Sequence, residues 1–68
     1  MNAQFNEEIT KAVQTSSLLL GDLRAAYRHA VQQGDTAGEL AVILLMDAIA
    51  DASKLADRLK LIQESVKP

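Results

Sequence analysis

Sixty-eight residues and 7.4 kDa make one small domain, whose lone core would be only marginally stable. The absence of cysteine excludes disulfide staples and thiolate metal sites, and a single histidine excludes a histidine-rich zinc site. A net charge of −2 argues against a nucleic-acid coat or polybasic membrane patch, and 49% hydrophobic residues exclude a disordered acidic tail. What remains is oligomerisation, a partner protein, or unusually good helix packing.

The opening residues, Met1 to Glu8, carry neither a basic segment nor an apolar core of signal-peptide length, so a cytoplasmic protein is expected. Asn6 reads as an N-cap, with Glu7 and Glu8 where the helix dipole favours acid. From there Phe5, Ile9, Ala12, Ser16, Leu19, Leu23, Ala26 and Ala30 recur at spacings of four and three, with Val13, Leu20 and Tyr27 beside them. This broad apolar stripe predicts a helix over about residues 7–33. Its weak place is Thr15-Ser16-Ser17 followed by Gly21, where hydroxyls compete for backbone bonds and glycine costs helix stability. A broken alternative, with Ser17 capping a second segment, stays open here.

The strongest punctuation falls at residues 32–39. Gly34 can adopt the left-handed conformation that ends a helix, and Thr36 with Glu39 matches a capping box, Asp35 being a rival cap. A turn over residues 34–36 predicts antiparallel neighbours. Beyond it Ala41, Leu45, Ala48, Ala52, Leu55, Leu59, Ile62 and Val66, flanked by Val42, Ile49 and Ala56, predict a helix over about 37–64. The fold class is therefore all-α, an antiparallel two-helix hairpin. Centring it near Asp35 sets Arg24 beside Asp47, Glu7 near Lys60, and Arg28 toward the acidic start of the second helix.

Two helices bury one face each, and the apolar residues here overrun those faces. Leu18, Leu19 and Leu20 are consecutive, and residues 40–46 form an unbroken apolar run. At seven residues that run is far short of the ~20 that span a bilayer, so membrane insertion is not expected. A helix apolar all round belongs inside a larger assembly. Leu18, Leu19, Leu20, Leu23, Tyr27, Leu40, Ile43, Leu44, Met46 and Ile49 are the expected protein interface, with Arg24, Arg28, Asp47 and Asp51 as polar contacts. The expected partner is a second copy completing a four-helix bundle, a larger helical protein, or both.

Reactive chemistry has little footing. Asp22 and His29 are two turns apart, too far for a hydrogen-bonded catalytic pair. Asp47 and Asp51 form an i,i+4 carboxylate pair without histidine at ligand spacing, and the Glu-x-x-His element of di-iron bundles is missing. There is no phosphate loop with its lysine. No enzyme activity, metal or cofactor is expected. Arg24, Arg28 and His29 around Tyr27 form a small basic cluster, a slight footprint for nucleic acid on an acidic chain. Tyr27 reads more simply as an anchor with its hydroxyl at an interface rim.

The stretch Leu23-Arg24-Ala25-Ala26-Tyr27-Arg28-His29-Ala30, the Gly34-Asp35 turn, and Asp47-Ala48-Ile49-Ala50 with Leu55 resemble a known family. They look like the very small helical-hairpin co-chaperones of bacterial type III secretion systems. That resemblance implies an antiparallel hairpin that works with a larger tetratricopeptide-type chaperone to keep a needle protein unpolymerised. The outline is also similar to the plasmid copy-control hairpins that dimerise on paired RNA loops, although the dense basic face of those proteins is missing. A non-catalytic interaction module is thus the expectation, with a dimeric RNA- or DNA-binding regulator and a structural subunit of a helical assembly as alternatives.

Overall fold

The computed structural model describes residues 3–33 and 38–66. They form two α-helices packed against each other as a hairpin: α1 over Ala3–Gln33 and α2 over Glu39–Ser65. The molecule measures 51 × 14 × 11 Å, a single layer of two long rods. No helix among the described residues is long and apolar enough to cross a membrane.

Helix α1 runs without a break through Thr15-Ser16-Ser17 and Gly21, so the broken alternative does not occur. Ser16 explains how its segment stays helical. Its hydroxyl is buried and donates to the Val13 carbonyl at 2.8 Å, satisfying itself within the preceding turn. Gly21 sits in the helix interior with nothing within 4 Å of where a Cβ would stand. Gly21→Ala should therefore stabilise the fold by about 1 kcal/mol through lower unfolded-chain entropy. A thermal melt followed by circular dichroism should show a rise of about 4–8 °C.

The helix ends differ from expectation. Helix α1 starts at Ala3, so Asn6 is not an N-cap, and Glu7 and Glu8 lie beyond the first turn, which holds no acid. Helix α2 starts at Glu39 with Gly38 in the cap position and no side-chain cap bond. A capping box needs its acid at the third helical residue. Glu39 is instead the first; Thr36, like Gly34 and Asp35, lies outside the described residues. Gly38 replaces the box with backbone geometry. Its φ of 78° and ψ of 153° fall in a region essentially closed to residues with a Cβ. Its carbonyl accepts the first helical bond of α2, from the Val42 N–H at 3.3 Å.

Burial defines the seam. In α1 the residues withdrawn from solvent include Asn6, Ile9, Val13, Ser16, Leu20, Leu23, Tyr27 and Ala30; in α2 they include Val42, Leu45, Ile49, Ala52, Ala56, Leu59, Gln63 and Val66. Both sets alternate steps of three and four, the seven-residue repeat of helices in coiled-coil contact. Gln63 Nε2 donates across the hairpin to Thr10 Oγ1 at 3.2 Å. Aligned on that bond, the two seams match in antiparallel order: Ile9 level with Gln63, Ser16 with Ala56, Leu20 with Ala52, Leu23 with Ile49, and Ala30 with Val42. This register is displaced from a hairpin centred at Asp35, and the charge pairing expected of that hairpin does not form. Arg24 and Asp47 make no ion pair with each other, nor do Glu7 and Lys60. All four side chains are exposed, and such pairs contribute little in any case.

The buried residues are small. Ala30, Ala52, Ala56 and Ser16 are buried, and no large side chain among the described residues is fully so. Small residues let the backbones approach closely, while the bulky ones lean over the edges and stay half in water.

Candidate functional site

Helical spacing and burial together sort the remaining apolar residues into two surfaces. The first lies on the outward side of α2 near the turn. Leu40, Ile43, Leu44 and Met46 are each more than half exposed. Ile43 and Leu44 stand three and four residues from Leu40, and Met46 three from Ile43, so they share one outward arc. Acid follows immediately, in the exposed Asp47 and Asp51. Four large apolar side chains within two turns, all facing water, cannot be explained by the hairpin's own packing.

The second surface is a pair of stripes. On α1, Phe5, Ala12, Leu19 and Ala26 recur every seventh residue; on α2, Ala41, Ala48, Leu55 and Ile62 do the same. Each member lies one step beside the seam of its own helix. Because the helices run in opposite directions, the same rotation away from the seam carries both stripes to the same side of the hairpin. The large members, Phe5, Leu19, Leu55 and Ile62, are between 39% and 47% exposed. The opposite flank carries Thr10, Ser17, Arg24, Ser53 and Lys60, with Val31 and Met46 at its turn end, and there the Thr10–Gln63 bond lies. Away from the turn, the hairpin thus has a polar broad side and an apolar one.

The expected interface residues therefore separate. Leu18, Leu40, Ile43 and Leu44 are exposed and point away from the seam; Met46 is exposed on the flank beside Leu45, and Leu19 belongs to the apolar broad side. Leu20, Leu23, Tyr27 and Ile49 are half-buried in the seam between the two helices. Two strongly exposed residues, Val31 and Leu61, were not singled out from sequence, since neither falls on the apolar lines read there. Leu55 and Ile62, grouped in the sequence with Leu45, Ala52 and Leu59 on one helical line, lie beside the seam rather than in it. The signal that separates them is the strict spacing of seven shared with Ala41 and Ala48.

The polar residues do not converge. Arg24, Arg28 and His29 are exposed along α1, with Tyr27 turned into the seam. Among the described residues no three of His, Asp and Glu approach closely enough to hold a metal ion. A shallow depression of about 330 Å³ lies along the flank of α1, lined by Asn6, Glu7, Thr10 and Lys11. It gathers an amide, a carboxylate, a hydroxyl and an ammonium from two successive turns without enclosing them.

Compared with protein-family models, with curated proteins and with solved structures, the chain finds no match.

Proposed function

We propose that this chain is a non-catalytic interaction module, a small chaperone or adaptor that docks a larger helical protein through the turn-proximal end of α2. The observation that carries this reading is the exposed cluster of Leu40, Ile43, Leu44 and Met46. A flexible methionine among branched aliphatic side chains suits a surface that must seat against the apolar stripe of another helix. Asp47 and Asp51 at its border supply a polar rim. The likeness to type III needle co-chaperones gives the proposal a concrete form: an aggregation-prone subunit is held apart by burying its apolar face here.

The test is co-purification of the tagged full chain from its native host, followed by an affinity measurement with the purified partner. Ile43→Asp puts a charge in the middle of the cluster, far round the helix from the seam. The expected loss is about 2 kcal/mol, roughly 30-fold in Kd, with helical content unchanged by circular dichroism. Unchanged affinity would sink the docking surface. A structured RNA recovered instead, and lost when Arg24 and Arg28 are replaced, would assign the chain to nucleic-acid regulation.

A further inference from the structure

The apolar broad side is a different surface from the turn-proximal cluster, and its pattern identifies its occupant. We propose that it is covered by a second copy of this chain, related by a two-fold axis running across the hairpin, so that two hairpins stack head to tail as a four-helix bundle.

The argument begins with the taper of the stripes. At the end bearing the chain termini the broad side carries Phe5 and Ile62, both large. In the middle it carries Ala12 beside Leu55, then Leu19 beside Ala48. At the turn end it carries Ala26 and Ala41, both small. A face that is bulky at one end and flat at the other cannot close against a copy lying in the same direction. Phe5 and Ile62 would meet their equivalents, and the two alanine ends would gape. Turning the second copy end for end removes the conflict. About an axis crossing α1 between Thr15 and Ser16, Phe5 rests over Ala26 of the second copy and Leu19 over its Ala12, while on α2 the bulky Ile62 ends of the two copies are carried apart. Along α1 large faces small, the arrangement that fills an interior to native density. The contact is isologous, since each pairing occurs twice about the axis, and it closes at two copies rather than extending into a filament.

Surface area points the same way. A compact folded chain of this mass exposes about 4200 Å². The hairpin exposes 5200 Å², an excess of about 1000 Å². Stable complexes cover about 800 Å² on each partner. The shape carries the same message: the radius of gyration is 15.5 Å, where a compact chain of this length reaches about 11 Å. One additional layer on the apolar broad side supplies the missing thickness and leaves the polar flank in water.

Sedimentation equilibrium on the full chain should give about 15 kDa, twice the 7.4 kDa of one copy. A single-copy mass at all concentrations up to 100 µM would overturn the proposal. Leu19→Ala should weaken association at least tenfold, and adding Ala12→Leu, which moves the bulk to the facing position, should restore it to within threefold. Loss without rescue would overturn the register. Orientation is tested separately, because the chain has no cysteine of its own. Thr15→Cys lies next to the proposed axis and should form a disulfide with itself on mild oxidation. Cross-linking only when Thr15→Cys is mixed with Arg58→Cys would instead show copies lying in the same direction. Ile43→Asp, which removes docking in the reading above, should leave the two-copy mass intact, so either proposal can fail without the other.

Discussion

Ala56→Asp should unfold the hairpin. Ala56 is 5% exposed and sits level with Ser16, whose hydroxyl is already committed to the Val13 carbonyl. A carboxylate placed there finds no cation, because the seam residues of both helices are uncharged. Burying an unpaired charge costs about 3–5 kcal/mol. A domain of this size has a total stability of roughly 3–10 kcal/mol, so the loss takes most or all of it. Ala50→Asp makes the same chemical change on an exposed position of α2 and should cost only about 1 kcal/mol, mainly through helix propensity. Urea titrations of both variants at one protein concentration give the comparison. Equal losses would mean that the Ala56 level is not the core.

The second large effect has the opposite sign. Asn6 occupies a seam position level with Val66, and its Oδ1 is buried with no hydrogen-bond partner. An unsatisfied buried carbonyl costs about 1–3 kcal/mol. Asn6→Leu removes that penalty and adds apolar burial against α2, so a gain of about 2–3 kcal/mol is expected. The midpoint of urea unfolding should rise at unchanged slope. A fall would mean that the amide is making a contact worth more than its desolvation. Asn6→Ala separates the two contributions, since it relieves the unpaired oxygen and fills little of the space.

The hairpin was legible in the sequence because its determinants are local. A short polar segment separates two stretches of helical apolar spacing, and the second helix starts after Gly38. What differs is which line of apolar residues faces inward. Phe5, Leu19, Leu55 and Ile62 stood on the expected stripes by their spacing, yet they lie on the broad side, while Val13, Leu20 and Tyr27, and Val42, Ile49 and Ala56, which flanked those stripes, are drawn in. Adjacent lines at the same seven-residue spacing are indistinguishable by period alone. Close packing draws the helices together at Ser16, Ala30, Ala52 and Ala56. Asn6 was misread for a related reason: asparagine favours caps, and the extra turn begun at Ala3 moved it into the helix interior. The turn-proximal cluster was visible as a run of seven apolar residues, which exceeds what one helix face can bury.

The single-layer architecture has a dynamic consequence. Each level of the seam touches only its neighbours along the axis, so the hairpin can open from its free end one level at a time. The levels at that end are the polar ones, Asn6 with Val66 and Ile9 with Gln63, where an amide-to-hydroxyl bond runs from Gln63 to Thr10. Opening there costs least, and protection against hydrogen exchange should increase toward the alanine-lined middle. Stacked head to tail, each hairpin would lay its turn, where the chain itself holds the helices together, across the loose end of the other. Two strips that fray singly would thus be closed at both ends.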